Sequence, residues 1–160
     1  MTLTIRPARP GEASLVLQFV RELAEYEKLT HEAVATEADI HEGLFGKTPR
    51  IFCDIAAWNG EPVGFALWFL NFSTFSGRSG IYLEDLFVRP EHRGKGIGKA
   101  LMIHLARKCV ENGWARLQWS VLDWNTPSIE FYKSLGGVLL DEWTVVRVGD
   151  DALVRLAERA

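Results

Sequence analysis

The stretch Ile81–Lys108, IYLEDLFVRPEHRGKGIGKALMIHLARK, restricts the possible folds more than any other part of the chain. It reads as a strand, a short basic loop rich in glycine, and a helix. Ile81–Val88 is apolar in both parities, with Ile81, Leu83 and Phe87 in one and Tyr82, Leu86 and Val88 in the other. A strand apolar on both faces belongs inside a covered sheet. Glu84 and Asp85 interrupt it, and strict alternation sends them to opposite faces. Burying a carboxylate is costly unless it is paired or used, so this adjacent pair marks a functional site.

The loop that follows, Arg93-Gly94-Lys95-Gly96-Ile97-Gly98, removes side chains from the backbone just where a helix starts. Bare N–H groups and the positive end of a helix macrodipole together make an anion site, and Arg93, Lys95 and Lys99 add formal positive charge. The helix packs through Ile97, Leu101, Met102, Leu105, Ala106 and Cys109, with His104, Arg107, Lys108 and Glu111 opposite. Asn112-Gly113 ends it. The spacing here, G-x-G-x-G, is not the G-x-G-x-x-G of a dinucleotide fold, and the G-K-[ST] close of a P-loop is missing.

What does fit is R-x-x-G-x-G at 93–98. With YLEDLFVRPEHRGKGIG and, downstream, LDWNTPSIEFYKSLGG, the chain resembles the GNAT superfamily of N-acetyltransferases. The similarity is to the branch that holds the polyamine (spermidine/spermine) and thialysine N-acetyltransferases. The resemblance spans nearly the whole chain. It implies an α/β (α+β) fold with a mixed, mostly antiparallel central sheet of six to seven strands, flanked by helices, with strands four and five splayed apart. It also implies acetyl-CoA as co-substrate, no metal, and a homodimer.

At 160 residues the chain suits one domain, 1–160, large enough to bury a real core. The net charge of −3 offers no basic field for nucleic acid, and a mildly acidic surface suits a small cation. Cys53 and Cys109 sit in apolar surroundings and read as reduced core residues. Met1–Arg6 reads as a strand start, not a basic-then-apolar leader, and no apolar run is long enough for a bilayer. No membrane association and a cytoplasmic location are the default expectations.

In chain order, Leu3–Arg6 predicts a strand and Ala13–Leu29 an amphipathic helix burying Leu15, Val16, Phe19, Val20 and Leu23. Thr36-x-x-Asp39 resembles a capping box for a short helix ending near Gly46. Arg50–Trp58 and Pro62–Phe72 read as a hairpin about Asn59-Gly60. Ser73–Gly80 reads as a polar loop carrying Phe75 and Arg78. Ala115–Leu122 alternates as a fifth strand. Thr126 as cap and Pro127 in the first turn open a helix that ends at Gly136-Gly137. Val138–Leu140 and Trp143–Val148 read as closing strands, and Asp151–Arg159 as a terminal helix.

Acetyl transfer to an amine makes three demands. Holding the nucleotide falls to Arg93, Gly94, Lys95, Gly96, Ile97, Gly98 and Lys99. By resemblance, the backbone of Leu86, Phe87 and Val88 bonds the pantetheine arm with help from Asn125 and Ser128, and Lys133 reaches a phosphate. An alkyl ammonium has a pKa of about 10.4, so a base must take its proton. The family branch has a Glu-Asp pair at this place, which implies Glu84 as base and Asp85 as a second carboxylate orienting the substrate. The departing thiolate needs a proton or hydrogen bond. In N-x-x-[SA]-x-x-x-Y-x-x-x-G, met here by Asn125, Ser128, Tyr132 and Gly136, the resemblance makes Tyr132 the general acid. A segment matching Leu23–Glu27 lines the acceptor site in the branch, which nominates Tyr26 and Glu27. With Asp123 and Trp124 these residues suit a cation. The acceptor so implied is a polyamine, a diamine or a thialysine- or lysine-like amine. The competing classes are a non-catalytic acyl-CoA sensor and an acetyltransferase of protein amines, and intact Glu84 and Tyr132 weigh against the sensor.

Overall fold

The computed structural model describes residues 1–159. They order as β1 (Leu3–Pro7), α1 (Ala13–Tyr26), α2 (Glu37–Phe45), β2 (Phe52–Trp58), β3 (Glu61–Ser73), β4 (Arg78–Val88), α3 (Ile97–Asn112), β5 (Leu117–Trp119), α4 (Thr126–Ser134) and α5 (Asp150–Ala157). Contacts divide the chain into two units, Met1–Ser120 and Val121–Ala160.

The first unit holds one sheet in the order β1-β2-β3-β4-β5, antiparallel except for the parallel β4–β5 pair. The Asn59-Gly60 expectation holds. Both residues take positive φ, 51° and 85°, and close β2 onto β3 with Trp58 opposite Glu61. The capping box also forms: Asp39 N–H donates to Thr36 Oγ1 at 3.2 Å, and Thr36 N–H donates to Asp39 Oδ2 at 2.8 Å.

Helices α1 and α2 cover one face. Val16, Phe19 and Leu23 of α1 and Ile40 and Leu44 of α2 pack with Cys53, Ile55, Phe65, Leu67 and Phe87 from the sheet. The Phe19 and Phe65 rings stack at 5.3 Å. Each such ring or branched side chain stabilises the fold by about 1.5–3 kcal/mol on burial. Helix α3 covers the other face through Ile97, Leu101, Met102, Leu105 and Cys109, all buried. Unit one is therefore a three-layer helix–sheet–helix arrangement.

Several boundaries move. Half of the expected loop 73–80 is strand: β3 and β4 pair out to Ser73 opposite Arg78, leaving a four-residue turn that ends on Gly77 at φ 66°. Cross-strand pairing outweighs the polar composition. Helix α1 stops at Tyr26 rather than Leu29, because Lys28 turns to φ 61°. The fifth strand is confined to Leu117–Trp119.

The expected six to seven strands are five. Val138–Leu140 and Trp143–Val148 form no ladder, and Val138, Trp143, Val145 and Val146 are largely exposed. Strand propensity becomes a strand only where a neighbour satisfies the backbone, and among the described residues the sheet ends at β5. In this second unit α4 and α5 bury no residue.

Candidate active site

A bulge in β4 builds the acidic part of the site. Trp68 of β3 pairs with Leu83 and the next residue, Leu67, pairs with Asp85, so Glu84 is the extra residue. Adjacent residues on β3 face opposite sides, so Leu83 and Asp85 do too. Ile81 and Leu83 turn toward α3, while Asp85 and Phe87 turn toward α1 and α2 with Leu67 and Phe65. This corrects the simple alternation of Ile81–Val88, which sends Glu84 and Asp85 apart and keeps Phe87 with Leu83.

On that face the carboxylates meet the end of α1. Asp85 is pushed up to about 7 by burial, then by the charges of Glu84 and Glu27. Glu27 is raised by burial and by Glu84. Glu84 itself is exposed, while Asp85 and Glu27 are half-buried. Three carboxylates thus share one locality, with a proton held most readily at Asp85. That suits both a cationic ligand and the removal of a proton from it.

The anion-binding part lies just beyond. A 3-10 turn, Pro90–His92, leads into Gly94 and Gly96, both at φ 78°, which a side chain would strain. Gly96 caps α3 without a side-chain hydrogen bond, and the helical ladder opens with Ala100 N–H donating to Gly96 O. The N–H groups of the first turn precede that bond and point at whatever anion sits there. Lys95 is exposed, its Nζ 5.3 Å from the Trp58 ring centre, and Lys99 is exposed. These groups fit a pyrophosphate.

Between the two parts the edge of β4 is open. Its ladder with β5 covers only Ile81–Leu83 opposite Leu117–Trp119, so among the described residues β4 runs on to Val88 with no β5 partner. Beyond Leu83, among the described residues, the Leu86–Val88 stretch has β3 alone as its ladder partner. Arg93 also reaches back to this strand. Its Nε donates to Val88 O at 2.8 Å, and its guanidinium lies 4.7 Å from the Tyr26 ring centre and 5.4 Å from that of Phe87.

In unit two, Asn125 rather than Thr126 is the cap of α4: its Oδ1 accepts from Ser128 N–H at 3.3 Å, and Asn125 is buried. Thr126 is the first helical residue and Pro127 the second. Tyr132 packs against Phe131 with centroids 5.4 Å apart, and its carbonyl accepts from Gly137 N–H at 3.0 Å. A Cβ on Gly137 would lie 2.8 Å from that carbonyl oxygen, which explains the second glycine. Lys133 lies in the last turn of α4.

The model of the acetyltransferase (GNAT) family matches residues 16–136. This chain belongs to that family. It is 38% identical to the bovine (Bos taurus) thialysine N-epsilon-acetyltransferase over 164 residues, covering 96% of each chain. It is 29% identical to an L-ornithine N5-acetyltransferase of Arabidopsis thaliana, covering 93% of this chain and 85% of that one. An integron cassette protein from the mobile metagenome of V. cholerae superposes with a TM-score of 0.83 at 29% identity, over 99% of both chains.

As a GNAT N-acetyltransferase the chain also holds a group that the sequence reading missed in Asp54 and misplaced in His104 and Lys108, which it set opposite the packed face of α3. Behind the sheet, Asp54 is almost fully buried and accepts from Trp68 Nε1 at 2.9 Å. His104 Nε2 of α3 lies 3.3 Å from Asp54 Oδ1, a charge contact when protonated rather than an aligned hydrogen bond. Lys108 Nζ lies 5.9 Å from the Trp68 ring centre. This group ties the middle of the GNAT helix α3 to the sheet. One signal was present: Asp54 is the only charge in the apolar run Ile51–Trp58.

Proposed function

We propose that the chain transfers an acetyl group from acetyl-CoA to a primary amine of a small cationic acceptor, within a ternary complex. The acceptor class is a thialysine- or lysine-like amine, a diamine or a polyamine. One observation carries the reading: Glu84 and Asp85, within charge reach of Glu27 at the end of α1, stand on the strand that leads, through Arg93, to the glycine start of α3. A site for a cation and a site for a polyanion are thereby next to one another. The 38% identical bovine relative and the plant ornithine enzyme support acetylation of small amines.

Acetyl-CoA brings an acyl group activated as a thioester and departs as a thiol. Arg93, Gly94, Lys95, Gly96, Ile97, Gly98 and Lys99 hold its pyrophosphate, and the Leu86–Val88 edge, Asn125 and Ser128 its pantetheine arm, with Lys133 toward a phosphate. Tyr26, Glu27 and Asp85 orient the ammonium. Glu84, exposed at the bulge, takes the ammonium proton and shares it with half-buried Asp85, which frees the lone pair for attack. Tyr132 donates to the departing sulfur. We take residues 1–160 to act as one catalytic domain. A homodimer is part of the proposal, supported by the apolar surface of Trp143, Val145 and Val146, which a second copy would cover; light scattering behind a sizing column tests it.

Thiol release from acetyl-CoA, measured with thialysine, ornithine, lysine, putrescine, spermidine and a basic peptide in parallel, tests the activity. Turnover with a small amine supports the reading. Turnover with the peptide alone moves it to protein amines, and silence with all of them while acetyl-CoA binds moves it to a sensor. Glu84→Gln should depress the rate most at low pH, where free amine is scarcest; a uniform small loss would remove the base role.

A further inference from the structure

We propose that Arg93 is a positioning residue that couples acceptor binding to cofactor binding, by joining the 94–98 loop to Tyr26. The inference rests on the acetyltransferase reading and goes beyond it, since that reading gives Arg93 only to the pyrophosphate.

The side chain is fixed along its length. Its root precedes Gly94, and its backbone N–H donates to Pro90 O at 3.2 Å. Its Nε donates to Val88 O at 2.8 Å. Its tip covers the ring of Tyr26, the last residue of α1, at 4.7 Å, with Phe87 at 5.4 Å. Tyr26 adjoins Glu27 in sequence, and Phe87 lies two places beyond Asp85 on the same sheet face. One side chain therefore runs from a root beside Gly94 to the strand at Val88 and to the rings of Tyr26 and Phe87. A lysine could supply the charge but not the planar fork that stacks on a ring while donating sideways.

The loop turns on two glycines at positive φ with open space where a Cβ would stand. An anion seated on its N–H groups restricts that turn, and with it the root of Arg93. The Nε–Val88 bond keeps the guanidinium on the strand, so a held root tightens its contact with Tyr26. By linkage, an acceptor that orders Tyr26 raises the affinity for the anion by the same factor.

The test uses the full chain labelled with 3-fluorotyrosine. Its three tyrosines give separate 19F signals, and Tyr26→Phe assigns one of them. CoA is titrated into the wild type, Arg93→Ala and Arg93→Lys. The Tyr26 signal should move as the wild type saturates, lose about half of that movement or more in Arg93→Ala, and fall between in Arg93→Lys. With the amine that the wild type turns over fastest, Arg93→Ala should raise the amine KM roughly two- to fivefold, a larger factor than its loss in kcat. Arg93 is exposed, so folding should survive. A Tyr26 signal indifferent to CoA in the wild type, or moving equally in Arg93→Ala while CoA binds, overturns the coupling. Absence of CoA binding to the wild type by calorimetry instead removes the acetyltransferase reading, and the coupling with it.

Discussion

Leu83 and Asp85 stand two places apart on β4 and face opposite sides of the sheet, because their partners on β3 are the neighbours Trp68 and Leu67. A regular strand would have put both against α3. The extra residue, Glu84, turns Asp85 toward α1 and leaves Glu84 exposed beside it. The acidic site exists because of that one-residue slip.

The position of Asp85 sets a pH signature. Its carboxyl is raised from an ordinary 3.8 to about 7 by burial and by Glu84 and Glu27. The folded chain therefore binds more protons than the unfolded chain between those values, so stability falls as pH rises through the window and levels off above it. In Asp85→Asn this fall should largely disappear. Urea midpoints from pH 4 to 8 should show the variant gaining on the wild type by a few kcal/mol, on the order of one per pH unit. A gap that widens toward low pH would refute it. Orienting the ammonium needs an ionised Asp85, so kcat/KM should rise through about pH 7 in the wild type and not in the variant.

Tyr132→Phe should lower kcat by roughly 10²-fold, the lower end of general acid contributions, while CoA affinity by calorimetry stays within about twofold. Equal losses in both would make Tyr132 a packing residue.

Gly96 holds φ 78° at the start of α3, with nothing within 4 Å of where a Cβ would stand, so Gly96→Ala strains the backbone without a clash. A cost of about 1–2 kcal/mol in stability should appear, with weaker CoA binding because the N–H groups of the first turn shift. Denaturant titration and calorimetry read the two effects. Unchanged CoA affinity would place the anion elsewhere.

Asp54→Ala leaves Trp68 Nε1 buried without its acceptor and should cost about 2–3 kcal/mol in the urea midpoint, with an unchanged slope. Asp54→Asn keeps an acceptor for Trp68 and should recover part of this. Neither should change kcat per folded molecule, since Asp54 lies on the α3 face, away from Asp85. A large loss of kcat in Asp54→Asn would give the Asp54–His104 contact a catalytic part.

Much of the site was legible because its signals are local. Gly94 and Gly96 take the positive φ that the glycine run implies, and α3 starts where the loop ends. Glu27, Glu84 and Asp85 come within reach of one another's charge, and Tyr26 adjoins Glu27 at the end of α1. The side-chain contacts of Arg93 were not legible. They depend on the last turn of α1 arriving over β4, and no spacing in the sequence encodes that meeting.

The sequence by itself determined what rests on a few neighbouring residues: the Asn59-Gly60 turn, the Thr36–Asp39 box, the stop at Gly113 and the family motif of the loop and α4. Each is decided by the φ preference or hydrogen bonding of residues within a few places, so composition suffices. Only the tertiary structure decided the bulge at Glu84, the face taken by Asp85, the burial of Asp54 under α3 and the end of the sheet at β5. Those turn on which register lets distant strands satisfy one another's backbone and bury their apolar faces, an energy shared between segments far apart in the chain.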